Sequence, residues 1–352
     1  SFALRQGRCR SLRLSLPAMT FFQISLLFPV LRLQSLSDHP TELLAIKDNN
    51  GKKRLLQARS CVMDQRQPVV AGQFYSGGQA CLAELEGCLP AEPLGEELPR
   101  PIVGGIVPHA GWVFSGDMAG LVFAAIKQTR KKVDTFIIFG AAHRYLGNRA
   151  AVYERGSWMT PLGETAIDEE LSDAIVKIDC AQADPDAHRT EHSIEVQVPF
   201  IQHLFDAAKI VPIIVPAGLF AVNLGEQIGG IIAEEKDKHI VCIGSTDLTH
   251  YGPQYGFCPA GAGVEGLRWA KEVNDAEFID LALKMEARKL LETAVEKGNA
   301  CGPGAAAAVV ASAVKLGRTK GVLLGHSHSN EVMKARYGRS GSDSVGYAAI
   351  VF

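Results

Sequence analysis

Three apolar runs each end in a histidine, and this repetition constrains the fold more than any other feature of the sequence. The runs span residues 102–109, 135–143 and 239–250, and they end at His109, His143 and His250. Each run is rich in β-branched residues and apolar on both faces, which is typical of a buried strand in a parallel sheet. Ligands of open α/β sheets bind beyond the carboxyl ends of the strands. We therefore expect the three imidazoles to share one edge of one sheet, as metal ligands or catalytic groups.

The composition fits one large α/β domain. The chain has 352 residues, of which 47% are hydrophobic and 21% are charged, and this is enough to form a sizeable core. Strand-like runs alternate with helical segments, which predicts a single α/β domain with a mainly parallel or mixed central sheet flanked by helices. The net charge of −2 argues against nucleic acid as a partner. Eight scattered cysteines without a CxxC pair favour reduced thiols and a cytoplasmic location.

The beginning of the sequence differs from the rest. Residues 1–37 contain five arginines and no acid. The apolar stretch at residues 14–31 is interrupted by polar residues and prolines, so we expect no membrane span there. We predict that residues 1–62 lie outside the domain and are disordered, and that residues 66–352 form it. Three interpretations of the first segment stay open: sequence upstream of a mis-called start, a targeting segment, or a basic membrane-surface segment.

Three local patterns lead to expectations about helices and strands. A helix is expected from Ser115 to Lys127. Another is expected within residues 185–208, where His192 and Glu195 have the i, i+3 spacing of one helix face. That spacing suits a metal-binding pair or a brace for metal ligands, and equally a surface pair or a helix cap. His326 and His328 should point to one side of a strand, and we interpret them as an exposed strand end rather than a metal site.

Two further residues could take part in chemistry at the sheet edge. Asp247 precedes His250 by three residues and could hold one ring nitrogen, as metal ligands and general bases both require. Cys301 lies in a glycine-rich turn before an alanine-rich helix. A helix start favours a thiolate, so we expect either a reactive or metal-binding thiolate or a simply packed cysteine.

Six motifs resemble the Memo family, whose bacterial members are called AmmeMemoRadiSam system protein B. They follow one another in order along the chain: VAGQFY at 70–75, PHAGW at 108–112, EHSIE at 191–195, STDLTHYG at 245–252, CG at 301–302 and VGYAA at 345–349. The resemblance covers residues 66 to 352. It implies a fold similar to the catalytic subunit of class III extradiol dioxygenases, which hold Fe(II) with two histidines and one carboxylate.

The resemblance also implies roles for individual residues. It places His109 and His143 at the two histidine ligand positions, and Cys301 at the position of the carboxylate. It places His250, supported by Asp247, at the acid/base position. A thiolate is softer than a carboxylate, which shifts the expected metal toward iron or copper, with zinc as a further option; no nucleotide cofactor is expected. The residues expected to line the pocket or support the ligands are His192, Glu195, Trp112 and Tyr251.

Three functions follow from these expectations, and the sequence leaves open whether the protein is an enzyme. The first is a metal-dependent oxidoreductase with dioxygenase-like chemistry on a small molecule. The second is a binding or scaffold protein whose pocket docks a peptide, or which assembles with an AMMECR-type protein and a radical SAM enzyme. The third is a metal-assisted hydrolase.

Overall fold

The computed structural model describes the backbone of residues 43–47 and 53–57, and residues 65–95 and 97–352 in full. The chain divides into two units, Ser1–Ser60 and Cys61–Phe352. In the first unit, strands β1 (Leu43–Lys47) and β2 (Lys53–Gln57) pair antiparallel. Apart from these two strands, our predictions for residues 1–62 fall on residues outside the described part of the chain.

The second unit alternates strands and helices along the chain. Its strands are β3 (Gln65–Arg66), β4 (Gly104–Val107), β5 (Thr135–Gly140), β6 (Ala150–Val152), β7 (Ser157–Thr160), β8 (Gly163–Ala166), β9 (Ala181–Ala183), β10 (Lys209–Ile214), β11 (Ile240–Ser245), β12 (His250–Tyr251), β13 (Val322–His328) and β14 (Ser344–Val351). Its α-helices are α1 (Ala80–Cys88), α2 (Trp112–Thr129), α3 (Glu169–Val176), α4 (Val198–Leu204), α5 (Phe220–Glu234), α6 (Val264–Trp269), α7 (Ala276–Leu283), α8 (Ala287–Lys297), α9 (Pro303–Lys315) and α10 (Ser329–Tyr337). A π-helix, Ala270–Asp275, joins α6 to α7, and the 3-10 turns are Pro185–His188, Glu195–Gln197 and Pro253–Tyr255. Within the described residues, no helix is long and apolar enough to cross a membrane.

A nine-stranded mixed sheet organises this unit. The strand order is β12-β14-β4-β11-β5-β10-β6-β9, and β13 pairs with β14 beside this path. The four central strands β4, β11, β5 and β10 are parallel, whereas β14 runs antiparallel to β4 and β6 runs antiparallel to β10. Strands β3, β7 and β8 form a separate small sheet. The predicted α/β fold with a mixed sheet is confirmed.

The three strands that precede the histidines are neighbours. Strand β11 lies between β4 and β5 and is parallel to both, with Ser245 opposite Val107 and Gly244 opposite Phe139. The carboxyl ends of the three strands therefore lie side by side. The loops that follow them meet at one edge of the sheet, as the apolar runs predict.

Both faces of the sheet are buried, which explains the uninterrupted apolar runs. In β5, Ile137 and Phe139 pack into the core on the side of α5 and α9, whereas Phe136 and Ile138 pack on the side of α2 and α4. Neighbouring strand residues point to opposite faces, so a strand covered on both sides needs apolar residues at every position. Helices α5 and α9 pack closely because Gly225 has no side chain, and a Cβ atom there would overlap the backbone of Ala308.

Two of the predicted helices have different bounds. Helix α2 begins at Trp112 rather than Ser115, because Ser115 lies in its first turn and donates its hydroxyl to the Ala110 carbonyl at 3.0 Å. The helix expected within residues 185–208 is reduced to two 3-10 turns and α4, so residues 191–194 are not helical. The prediction that His192 and Glu195 lie on one face of a helix is therefore wrong.

A buried histidine that is hydrogen-bonded to β6 makes stability depend on pH. His188 is fully buried, and its Nε2 lies 3.0 Å from the Ala151 carbonyl. Burial lowers the pKa of His188 from 6.5 to about 3. Between these two values the unfolded chain binds the proton and the folded chain does not, so the free energy of unfolding decreases as the pH falls through this window.

We predict that His188→Gln weakens this pH dependence, because glutamine can donate to the same carbonyl and does not titrate. The difference in slope should reach about 1.4 kcal/mol per pH unit at most. Urea unfolding of the variant and the unaltered protein at several values between pH 6.5 and pH 4 measures both slopes. Equal slopes would show that His188 does not contribute.

Candidate metal centre

A buried carboxylate fixes the loop that carries His109. Asp247 Oδ1 accepts the backbone N–H groups of His109 at 2.7 Å and of Ala110 at 3.2 Å. The Asp247 carbonyl accepts the backbone N–H of Cys301 at 3.2 Å. Asp247 thus joins the segments that follow β4 and β11 to the turn that precedes α9.

The hydrogen bonds around Ser245 determine which ring nitrogen of His109 carries its hydrogen. The Ser245 hydroxyl donates its one hydrogen to the Ser193 carbonyl at 2.7 Å. Its oxygen accepts from Gln197 Nε2 at 3.3 Å and lies 3.1 Å from His109 Nδ1. Nδ1 must therefore be the donor, and Nε2 has a free lone pair. Burial lowers the pKa of His109 to about 3, so the ring is neutral at physiological pH.

Cys301 faces this free nitrogen. Its Sγ lies 3.1 Å from His109 Nε2 and 3.9 Å from Thr246 Oγ1. Burial, and after it the charge of Asp247, raises the pKa of the Cys301 thiol. Both effects oppose the thiolate that the helix start is expected to favour. Such a thiol loses its proton when it coordinates a cation.

Glu191 orients His143, and the sequence reasoning missed it. The Glu191 carboxylate accepts from His143 Nδ1 at 3.0 Å and from the backbone N–H of Ser193 at 2.8 Å. Burial lowers the pKa of His143, but the hydrogen bond and charge of Glu191 outweigh burial, so the net shift is upward. The same pairing holds the pKa of Glu191 well below its usual range although burial opposes this. With Nδ1 engaged, His143 offers Nε2 as its ligand atom.

His192 belongs to the centre more closely than predicted. Its ring stacks on that of His143 at 4.8 Å between centroids and lies 5.4 Å from that of His109. Burial, and after it the nearby His109, lowers the pKa of His192 to about 4. Ligand atoms within 4.8 Å of one another form two overlapping groups: His109 with His143 and His192, and His109 with Asp247 and Cys301. The three predicted ligands are therefore divided between two groups that share His109.

His250 lies beside the centre, but Asp247 does not hold its ring. Among the described residues, no hydrogen bond joins the Asp247 carboxylate to His250. Asp247 Oδ1 accepts the backbone N–H groups of His109 and Ala110, and Oδ2 lies 4.0 Å from His109 Nε2. His250 Nε2 is buried without a hydrogen-bond partner. Burial lowers the pKa of His250, and the charge of Asp247 acts in the opposite direction.

Three of the residues expected around the pocket lie in the core instead. Trp112 is buried and donates its indole N–H to the Val196 carbonyl at 3.1 Å. Tyr251 is buried and donates its hydroxyl to the Gly261 carbonyl at 2.8 Å. Glu195 is buried against Arg66 at 2.8 Å. Of the two roles expected for them, lining the pocket or supporting the ligands, these buried positions suit the second.

A cavity of about 520 Å³ opens above the centre. Its polar lining includes His109, His143, His192, Asp247 and His250, and its other walls include Phe74, Phe114, Met333, Val345 and Tyr347. This volume lies within the usual range for small-molecule sites, which combine an apolar lining with a few polar groups. The centre can therefore be reached by a small molecule.

Comparison with known proteins identifies the family. The sequence model for Memo-like proteins matches residues 66–351. MEMO1 family proteins of Thermococcus onnurineus and Thermococcus kodakarensis are each 39% identical to this chain, over 295 and 297 residues, and the matches cover 82% of this chain and 99% of each relative. A MEMO1 family protein of Methanosarcina mazei is 34% identical over 297 residues with the same coverage. The chain therefore belongs to the Memo family, as its six motifs predict.

We predict that Glu191→Gln lowers the pKa of His143 and weakens metal binding about 10- to 100-fold, the usual effect of losing a group that orients a ligand. The amide keeps the size of the side chain but removes the charge that favours the imidazolium. NMR titration of His143 and competition with a chelator measure the two effects. Glu226→Gln, at an exposed glutamate, is the matched control. An unchanged His143 pKa together with unchanged metal affinity would contradict this role for Glu191.

Proposed function

We propose that this protein binds one iron or copper ion at His109, His143 and Cys301 and acts as a metal-dependent oxidoreductase on a small molecule. The observation that carries the proposal is the arrangement around His109. Its Nδ1 is committed to Ser245, so Nε2 presents a lone pair 3.1 Å from Cys301 Sγ. A neutral imidazole beside a buried thiol is suited to sharing a cation.

The chemistry of these donors supports a soft or borderline transition metal. Imidazole suits iron, copper and zinc, and a cysteine sulfur favours softer ions over magnesium or calcium. Iron or copper bound there would supply one-electron chemistry and an open coordination position. His143 gains basicity as a ligand from its hydrogen bond to Glu191.

His250 is suited to moving a proton next to this centre. Its lowered pKa keeps the ring neutral at physiological pH, and its Nε2 has no hydrogen-bond partner within the described structure. A molecule in the cavity can donate a proton to this nitrogen and later recover it. The nearby charge of Asp247 would stabilise the imidazolium form, although the two side chains are not hydrogen-bonded.

The cavity favours a small, largely apolar substrate with one polar end. Aromatic and aliphatic side chains such as Phe74, Phe114 and Met333 line it together with the histidines, and Ser329, Asn330 and Asp343 add further polar groups. The apolar part of a substrate would pack against the walls while its polar end faces the histidines. The same cavity would serve the binding role predicted from the sequence, with a peptide side chain in this position.

A second function, metal-assisted hydrolysis, is favoured by the position of His192. Three imidazoles, from His109, His143 and His192, have ligand atoms within 4.8 Å of one another. Three histidines with one open position are a common ligand set of catalytic zinc, which activates a bound water. In that case Cys301 would not be a ligand.

We predict that the anaerobically purified protein contains iron or copper, and that His109→Ala loses about one ion per chain, because His109 belongs to both ligand groups. Mass spectrometry of the metal content measures this loss. His203→Ala, at an exposed histidine outside the centre, is the control and should keep the metal. Equal metal in both variants would show that His109 is not a ligand.

Two further variants separate the two functions. If the centre has a sulfur ligand, Cys301→Ser loses copper affinity more strongly than zinc affinity, because serine is a harder donor, and His192→Ala retains the ion. The opposite pattern, with metal kept in Cys301→Ser and lost in His192→Ala, would overturn the oxidoreductase proposal in favour of hydrolysis.

A further inference from the structure

A second group of potential ligands lies on the other side of β14 from β4. It consists of Asp275, His326 and His328, which we call the β13 cluster. The interpretation of these histidines as an exposed strand end is wrong: His328 is only 4% exposed, and Asp275 is fully buried. Strand β13 pairs with β14 from Val322 to His328, with an irregularity between Leu323 and Gly325.

The backbone explains why these three side chains converge. His326 and His328 alternate along β13, opposite Ala348 and Gly346 of β14, so their side chains leave the same face of the strand. Asp275 ends the π-helix that crosses this face, and π-turns within helices occur frequently at functional sites. A Cβ atom at Gly346 would overlap the Asp275 carboxylate. Because residue 346 is a glycine, the Asp275 carboxylate can lie between the two histidines.

The distances within the β13 cluster match those around a single metal ion. Asp275 Oδ2 lies 3.1 Å from His326 Nε2 and 3.2 Å from His328 Nε2. With metal–ligand bonds of about 2.0–2.1 Å, tetrahedral ligand atoms are separated by roughly 3.3 Å. Three donors that already stand this close need little rearrangement to surround a cation.

The other hydrogen bonds of these residues leave the three ligand atoms available. His328 Nδ1 pairs with Ser344 Oγ at 3.1 Å, and Asp275 Oδ1 accepts the backbone N–H of Thr249 at 3.0 Å. His328 Nε2 is buried without a hydrogen-bond partner, although Asp275 Oδ2 is close to it. An unpartnered buried nitrogen beside a buried carboxylate is costly, and a shared cation would satisfy both groups.

We propose that the β13 cluster is a second metal site, which binds a divalent transition ion, zinc foremost, through two imidazoles and one carboxylate. These ligands suit zinc, and the site shares no residue with the centre at His109. A cavity of about 340 Å³, lined in part by His328 and Ser344, lies beside the site.

Acidic and basic side chains both lie around this cavity. Of the three basic side chains on its wall, Lys271 is paired with Glu331 and Arg268 with Glu265. The third, Lys334, shares the wall with the acid Glu272. Asp275 also binds the backbone of Thr249, next to His250, so an ion in the β13 cluster stabilises the segment that follows β11.

Cobalt(II) provides the test, because it replaces zinc and reports its ligands by absorption. The full-length protein is stripped with a chelator and titrated with cobalt(II). We expect visible bands of a nitrogen and oxygen site from the β13 cluster. A thiolate charge-transfer band, if present, comes from Cys301 and disappears in Cys301→Ser, which leaves the β13 bands unchanged. The two proposals can therefore fail independently.

The decisive variants are His326→Ala and Asp275→Asn. The first removes a partly exposed ligand, and the second keeps the shape of the side chain and an acceptor for Thr249. Both should bind cobalt(II) at the β13 cluster more than tenfold more weakly and lose the rise in melting temperature that zinc gives the unaltered protein, whereas His203→Ala retains both. If all these proteins give the same cobalt(II) spectrum and the same zinc response, or if the unaltered protein shows no such bands, the cluster is only a hydrogen-bonded group and the proposal is overturned.

Discussion

The buried carboxylate of Asp247 is the interaction on which the candidate metal centre depends. It accepts two backbone N–H groups from the loop after β4, while its own carbonyl accepts the N–H of Cys301. Side chains from segments far apart in sequence can act on one ion only if their backbones are held within a fraction of an ångström. Burial raises the pKa of Asp247, and the N–H groups that it accepts oppose that shift without reversing it. The same contacts place His109 against Cys301.

The hydrogen bonds around the imidazoles give each ring a different character. His109, bonded to Ser245 and fully buried, is held neutral with one nitrogen free. His143, bonded to Glu191, has a raised pKa and is the more basic ring. Their centroids are 5.0 Å apart, and two imidazolium ions at this distance would repel each other. The site therefore disfavours a second imidazolium beside His143, and metal binding should weaken as the pH falls and protons compete for His143.

The sequence predicted the parts of the centre that follow from local pattern. Buried parallel strands need apolar residues on both faces, so the strands before His109, His143 and His250 were recognisable, and their adjacency follows from the fold class. The role of Glu191 was not recognisable in this way, because the helix period pointed to Glu195. In the structure, tertiary hydrogen bonds of both glutamates replace a regular helix there. The β13 cluster depends on a π-helix and on the missing side chain of Gly346. Neither feature produces a periodic pattern of residues from which it could be predicted.

X-ray absorption at the metal edge most directly tests whether His109 and Cys301 bind the same ion. The protein would carry His326→Ala, so that the β13 cluster does not contribute to the signal, and would be loaded with copper or iron. Our account predicts one sulfur neighbour, near the zinc–thiolate distance of about 2.3 Å, together with imidazole nitrogens. It also predicts that Cys301→Ser abolishes the sulfur contribution. A spectrum with nitrogen and oxygen neighbours alone would contradict the account and assign the ion to the three histidines.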